Sequence, residues 1–90
     1  MTAIERLHML DHSTLSRAQR RLWAAASDSQ AVLRRQADDC ACMASLGGER
    51  DARALLDYAA LLRGYAEAVA LEGLARIDAL SERVDAEAAQ

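Results

Sequence analysis

The stretch ASLGGERDARALL, residues 44–56, contains the only adjacent glycines, Gly47 and Gly48, of a 90-residue chain that has four glycines and no proline. A phosphate-binding loop would need a preceding strand and a Gly-Lys-Ser/Thr ending, whereas a helical pattern precedes this stretch and Glu-Arg-Asp follows the glycines. Gly47 can adopt the left-handed conformation that ends a helix, and Glu49 and Asp51 suit the first turn of a new one. The stretch therefore predicts a turn between two helices.

Two apolar stripes flank this turn, each with steps of three and four residues. The first is broken at Asp11 and Ser29 and comprises Ile4, Leu7, Leu15, Ala18, Leu22, Ala26, Leu33, Ala37, Cys40 and Ala44. The second comprises Leu55, Ala59, Leu62, Ala66, Val69, Gly73, Ile77, Leu80 and Val84. Such spacing places each set on one face of an α-helix, and matched faces around a short turn favour an antiparallel pair. We predict an all-α, coiled-coil-like, antiparallel two-helix hairpin: a single domain over residues 1–90, with helix one at about 2–46 and helix two at about 50–87.

The composition agrees with long helices. Alanine, leucine, arginine and glutamate dominate, phenylalanine is absent, and no proline is present to interrupt a helix. Helix one nevertheless carries two polar segments. DHST (11–14) offers Asp11 or Ser13 as a cap, and SDSQ (27–30) offers Ser27 and Gln30 as a capping box. We expect one continuous helix, bent near residue 28; the alternative is a short helix over residues 2–10 followed by a break.

Charge and targeting signals narrow the function classes. The net charge is −3, with six arginines against five acidic residues in residues 1–46 and five against nine in residues 49–90, so nucleic acid is not the expected partner. No apolar run is long enough to cross a membrane, and the start lacks the basic and apolar parts of a signal peptide. Two cysteines suit a reducing compartment. We expect a cytoplasmic protein.

Candidate metal ligands are few. His8 and His12 are four residues apart and could share a metal near Asp11, with Glu82 or Asp85 of the second helix as further ligands. Two solvent-exposed histidines are the simpler interpretation. Cys40 and Cys42 are two residues apart and should face different sides of a helix, the first towards the core and the second towards solvent. We expect no metal and no cofactor.

Catalysis finds no support in the sequence, because no nucleophile stands beside a plausible base. We therefore expect a protein that is not an enzyme. The arginines of helix one form basic patches at Arg17, Arg20, Arg21, Arg34 and Arg35. RNA binding would also call for aromatic platforms, and Trp23 is the single aromatic residue there.

The most informative feature is an excess of apolar residues outside the two stripes. In helix two these are Leu56, Ala60, Leu61, Tyr65, Leu71 and Leu74, and in helix one Met9, Leu10, Trp23, Val32 and Met43. A hairpin has one seam, and an isolated hairpin buries too little area to offset its chain entropy. Surplus apolar faces on such a hairpin indicate association with itself or with another protein.

The start of the chain, MTAIERLHML followed by DHS, has Met-Thr, an aliphatic residue and Arg-Leu-x-x-Leu before a polar break. This pattern resembles the opening of the small helical-hairpin co-chaperones of bacterial type III secretion systems. The matching positions are Met1, Thr2, Ile4, Arg6, Leu7 and Leu10. The segment LLDYAALLRGYAEAVAL (55–71) is compatible with the leucine- and alanine-rich second helix of that family.

The resemblance implies a cytosolic, non-enzymatic role in which the chain pairs with a tetratricopeptide-type chaperone that holds the needle subunit. We expect the partner-binding residues to be Leu56, Leu61, Tyr65, Leu71, Leu74 and Trp23. Needle and rod subunits of the same systems are also hairpins, but needle subunits usually carry a proline-containing turn. The alternative is a self-associating four-helix-bundle dimer that binds RNA or another protein, and a metal-binding bundle ranks third.

Overall fold

The structure, a computed structural model, describes the backbone of residues 1–88 and the side chains of residues 1–81. It contains the helices α1 (Ala3–His8), α2 (Arg17–Ala44) and α3 (Glu49–Ala88), with a short 3-10 turn at His12–Thr14 between α1 and α2. No strand occurs within residues 1–88, so the prediction of an all-α fold is confirmed. The predicted two-helix count is wrong, because α1 is a separate third helix.

The two long helices pack against each other and run in opposite directions. Near the start of α2, the amide of Gln19 donates a 3.0 Å hydrogen bond to the carbonyl of Ile77. Further along, Asp38 lies 3.3 Å from the guanidinium of Arg63. Numbers rise along α2 as they fall along α3, so the pair forms a rod, and the chain measures 63 × 19 × 18 Å.

The connection between α2 and α3 is a turn, as predicted, but its chemistry differs from the prediction. Neither Gly47 nor Gly48 has a positive φ, so no left-handed glycine ends α2. Instead, the N–H groups of Ser45 and Leu46 donate to carbonyls three residues earlier, which tightens the last turn into 3-10 geometry. The two acidic residues expected at the start of α3 do lie in its first turn.

The predicted continuous helix over residues 2–46 is interrupted by capping residues. Asp11 accepts hydrogen bonds from the backbone N–H and the hydroxyl of Ser13, at 3.0 and 2.7 Å, and so caps the 3-10 turn. Ser16 then begins α2 with a capping box, since its hydroxyl accepts from the backbone of Gln19 and the Gln19 side chain accepts from the Ser16 N–H. Around Asp28, where a bend was expected, α2 continues without interruption. The break near Asp11 is therefore the correct alternative.

Helix α1 folds back onto the α2–α3 pair. The carboxylate of Glu67 on α3 accepts hydrogen bonds from the backbone N–H groups of Ala3 and Ile4, which otherwise lack partners at a helix start. Leu7 is completely buried, and its carbonyl accepts a 2.8 Å hydrogen bond from the indole N–H of Trp23. One end of the rod thus contains three helices, and the end near the turn contains two.

The core consists of two clusters built largely from small side chains. The larger contains Ala3, Leu7, Ala26, Ala70, Leu74 and Ile77, and the smaller, nearer the turn, contains Ala37, Ala59 and Leu62. At the larger cluster α2 and α3 approach so closely that a Cβ added to Gly73 would lie 2.5 Å from the Cβ of Ala26. Small side chains allow this approach, so Gly73 is required there by space.

Two polar side chains inside this seam were not anticipated from the sequence. Gln19 is 5% exposed and is satisfied by the backbone and side chains around it. Gln30 is 2% exposed; its amide nitrogen donates to the carbonyl of Ser27, but its oxygen has no hydrogen-bond partner. Gln30 occupies the gap in the apolar stripe of helix one between Ala26 and Leu33, and Gln19 is buried where the stripe predicted Ala18, which is exposed.

Candidate protein-binding face

Four of the six predicted partner-binding residues are exposed on α3. Leu56, Leu61, Tyr65 and Leu71 each have between 49% and 55% of their surface accessible. They do not share one side of the helix. Leu71 lies one turn after Glu67 and Leu56 lies three turns before it, so both are on the side that α1 covers further along. Leu61 and Tyr65 lie elsewhere.

Leu74 and Trp23, the other two predicted partner-binding residues, pack towards α1 inside the chain. Leu74 is 4% exposed and belongs to the core cluster that α1 completes. Trp23 is half-buried, packs against the same cluster and commits its indole N–H to the backbone of α1. A two-helix hairpin would expose both residues, and the third helix is what buries them.

Tyr58, Leu61 and Tyr65 form an exposed row on the opposite side of α3. Their steps of three and four residues place them on adjacent turns. Residues nine positions apart are separated by about two and a half turns and so lie on opposite sides of a helix. Tyr58 stands in this relation to Glu67, and Tyr65 to Leu74. Since Glu67 and Leu74 contact α1, the row faces away from it. Tyr58 was not among the predicted contacts, although its spacing from Leu61 could have identified it.

Half-buried apolar residues follow the junction of α2 and α3 on the side of this row, and at the end remote from the turn they line an open groove. We call them the groove floor: Leu22, Leu33 and Cys40 from α2, and Leu55, Val69 and Leu80 from α3. At the end remote from the turn, Leu22 and Leu80 line the groove together with Arg76 and Ala79. We call the groove floor together with Tyr58, Leu61 and Tyr65 the open face, because no helix of the chain covers it within the described residues.

The side that carries α1 is different in character. There, the N-terminal turn of α1 and the facing parts of α2 and α3 line a polar hollow that includes Arg34, Asp38, Arg63 and Glu67. Arg34 is thus set among carboxylates, and Arg17 lines the groove end on the other side. Arg34 and Arg17 of α2 therefore lie on different sides of the helix pair.

The two histidines have different neighbours. His8 lies at the end of α1 with its Nε2 atom 3.4 Å from the amide nitrogen of Gln30, and His12 packs edge-on against the Trp23 ring, with 4.2 Å between ring centroids. Among the side chains of residues 1–81, no group of three or more His, Cys, Asp or Glu residues is placed to hold a metal. The further ligands considered for such a site, at positions 82 and 85, lie outside the described side chains.

The cysteines lie as their spacing predicts. Cys40 is half-buried against the smaller core cluster, and Cys42 is exposed. Both are free thiols. Cys40 contributes to the floor of the open face as a small apolar side chain.

The pKa of the carboxyl group of Asp11 is shifted by its surroundings. The pKa of Asp11 lies below its usual value because the Ser13 hydroxyl and then the Ser13 backbone N–H donate hydrogen bonds to its carboxylate, with the positive form of His12 adding a smaller attraction. This is a capping interaction in the link between α1 and α2, and it lies away from the open face.

Among the described residues, none of the helices has the length and apolar character needed to cross a bilayer. No protein-family model matches the sequence, and no curated protein or solved structure matches it either.

Proposed function

We propose that this chain is a non-enzymatic protein-binding module that docks a helical partner on its open face. The observation that carries the proposal is the row of Tyr58, Leu61 and Tyr65, each about half exposed beside a half-buried apolar groove. Tyrosine is enriched at the centres of protein interfaces, because it combines a large apolar ring with a hydroxyl that tolerates water. A groove between two helices is the shape that receives a third.

The overall shape supports the same proposal. The chain exposes 6500 Å² of surface, whereas a compact monomer of this mass exposes about 5,200 Å². Its radius of gyration is 17.2 Å, against about 12 Å for a compact chain of this length. The excess surface exceeds the ~800 Å² that each partner buries in a standard interface. A partner bound along the rod would therefore reduce the accessible surface of this chain to about that of a compact monomer.

We further propose that the partner is a tetratricopeptide-type chaperone of a type III secretion system, for which this chain acts as co-chaperone in the cytoplasm. The support is the resemblance of the first ten residues, which form α1 and its end, followed by the polar break at Asp11. In the proposed role α1 completes the fold at one end of the rod. The open face remains available for the chaperone.

The test is co-expression with a tetratricopeptide-type secretion chaperone and its needle subunit, followed by purification through a tag on the chaperone. The wild-type chain should co-purify. Leu61→Glu should weaken binding more than about 100-fold, because a carboxylate buried without a partner in an interface costs at least about 3 kcal/mol.

Leu71→Glu is the matched control. Leu71 lies on the same helix with similar exposure, 55% against 49% for Leu61, but on the side of α3 that faces α1. It should bind like the wild type. Binding that survives Leu61→Glu and is lost with Leu71→Glu would refute the open face as the docking surface. No binding by the wild-type chain would refute the secretion chaperone as the partner.

A further inference from the structure

The end of the open face remote from the turn is bordered by arginines from both long helices. Arg17 and Arg21 of α2 line an open hollow of about 640 Å³. Arg76 of α3 lines an adjoining hollow of about 430 Å³. Leu22 and Leu80 of the groove floor lie in both hollows. We call these five residues the basic end of the open face.

The arginines of α2 lie where the helix itself disfavours them. Arg17, Arg20 and Arg21 occur within the first five residues of α2, and its first turn contains no acidic residue. The start of a helix carries a partial positive charge, so basic side chains are unfavourable there. Arg17 and Arg21 are also four residues apart, a spacing at which like charges on a helix repel each other. The stability of α2 therefore does not account for this cluster.

The acidic residues near the basic end neutralise only its α3 side. Arg76 pairs with Glu72, one turn earlier on α3, at 2.9 Å. Among the side chains of residues 1–81, no ion pair involves Arg17 or Arg21. The first acidic residue of α2 is Asp28, about two turns beyond Arg21. The excess positive charge of the basic end therefore comes from the start of α2.

We infer that the basic end of the open face receives an acidic amphipathic helix of the protein partner, whose apolar stripe is flanked by glutamate or aspartate. The stripe packs on Leu22 and Leu80, since an amphipathic helix places its apolar face in an apolar groove. The flanking carboxylates pair with Arg17 and Arg21 on one side of the groove. They relieve the repulsion that the free chain leaves there.

The side chains around this floor permit a helix to approach it. Ala18 of α2 and Ala79 of α3 border the two hollows, and both are exposed. Because alanine is short, it leaves room for an apolar side chain of the partner to reach Leu22 and Leu80. Arginine can lay its aliphatic stem along a neighbouring helix while its guanidinium group binds a carboxylate. The basic end thus combines apolar contact with recognition of acidic groups.

This inference rests on the proposed function, since it concerns the same face and the same partner. It adds the chemistry of the helix that docks there, and it gives that helix a direction. The acidic part of the helix lies beside the start of α2. The part without charge lies along the row of Tyr58, Leu61 and Tyr65.

The experiment uses two synthetic helical peptides of equal length with the same leucine stripe, one flanked by glutamate and the other by glutamine. Fluorescence anisotropy measures the binding of each labelled peptide to the purified full chain. The wild type should bind the glutamate peptide about 10-fold more tightly, because each exposed ion pair changes affinity by as much as about fivefold. Raising the salt concentration should reduce this preference.

Charge reversal locates the preference on the chain. The double variant with Arg17→Glu and Arg21→Glu should bind the two peptides equally. Its Tm should not fall below that of the wild type, because an acidic residue suits the start of a helix. The matched control, Arg35→Glu with Arg53→Glu, makes the same change of net charge at two exposed arginines that line neither hollow. It should keep the preference for the glutamate peptide.

The opposing results are distinct from those of the co-expression test. Equal affinity of the wild type for the two peptides, or no binding of either, would overturn the inference, as would a control that loses the preference as fully as the double variant. Polyuridylate RNA that binds the wild type more tightly than the glutamate peptide does would assign the basic end to nucleic acid and also overturn it. A chaperone that co-purifies while the preference is absent would leave the proposed function standing. A preference without co-purification would refute the chaperone and support the inference.

Discussion

Replacing Gly73 with alanine should destabilise the fold, although alanine forms helices better than glycine. Gly73 is buried where α2 and α3 approach each other closely, and the alanine Cβ would lie 2.5 Å from the Cβ of Ala26. Real Cβ contacts fall in the range of 3.4–4 Å, so the two helices must separate locally by about 1 Å or more. Neither side chain can rotate away, because a methyl group has no rotamers.

The expected size follows from two opposing effects. Overpacking a well-packed core costs about 1–3 kcal/mol. Replacing glycine by alanine inside a helix returns about 1 kcal/mol of helix propensity. Gly64→Ala isolates the second effect, since Gly64 is exposed on the same helix and a Cβ there has nothing within 4 Å. The stability of Gly73→Ala should therefore fall about 1–3 kcal/mol below that of Gly64→Ala.

The assay is urea and thermal unfolding followed by circular dichroism, at one fixed chain concentration so that any association contributes equally. For a chain of this length each kcal/mol moves the Tm by about 4–8 °C, so the difference is measurable. In the double variant with Ala26→Gly and Gly73→Ala, removal of the Ala26 methyl group makes room for the new one. This variant should recover most of the stability lost by Gly73→Ala. If Gly73→Ala is as stable as Gly64→Ala, the reasoning from the close helix crossing is refuted.

Two further predictions concern α1 and the link that follows it. Glu67→Gln removes the charge that caps the start of α1. It should lower the free energy of unfolding by about 1 kcal/mol and speed amide hydrogen exchange in residues 3–8 only. Uniformly faster exchange along the chain would contradict a local role. The Asp11 carboxyl should titrate below its usual pKa of 3.8 in a carbon-detected NMR titration. Because the folded pKa is the lower one, the stabilisation is present above 3.8 and is lost as the pH falls through the folded value. Ser13→Ala should move that pKa upwards, and an unchanged value would contradict the capping geometry.

The long helices and their contacts could be predicted because their signal is purely periodic. Ala59, Leu62 and Ile77 repeat at helical spacing, and all three are buried. Glycine at position 73 belongs to the same stripe, and the structure gives the reason, a close approach of backbones. The spacing of apolar residues shows which side of each helix is apolar. For a pair of helices, this largely determines how they pack.

The separate first helix could not be predicted in this way, because the apolar stripe is broken both at Asp11 and at Ser29, and the chain leaves the helix only at the first of these breaks. The decisive signal is the capping box of Ser16 and Gln19, a pattern as short as the one considered at Ser27 and Gln30. Packing distinguishes the two patterns: Gln19 donates to the backbone of α3, while Gln30 lies inside a helix that continues. The spacing of apolar residues does not show which of the two patterns begins a helix.

The candidate site was partly predictable for the same reason. Leu61 and Tyr65 are exposed as their surplus position indicates. Leu74 also lies outside the contact between the two long helices. It is buried all the same, because it packs where the third helix, α1, contacts that pair. An apolar excess shows that more surface must be covered. It does not distinguish cover provided by the chain itself from cover provided by another molecule.

The unequal ends of the rod imply a gradient of local stability along its length. The end with α1 has a fully buried leucine and the larger cluster, whereas the turn end is held by Ala37, Ala59 and Leu62 with two half-buried neighbours. Fewer buried apolar contacts mean that the tip opens more readily than the base. Anything that binds along the open face should therefore order the turn end more than the end that carries α1, because the turn end has fewer buried contacts of its own.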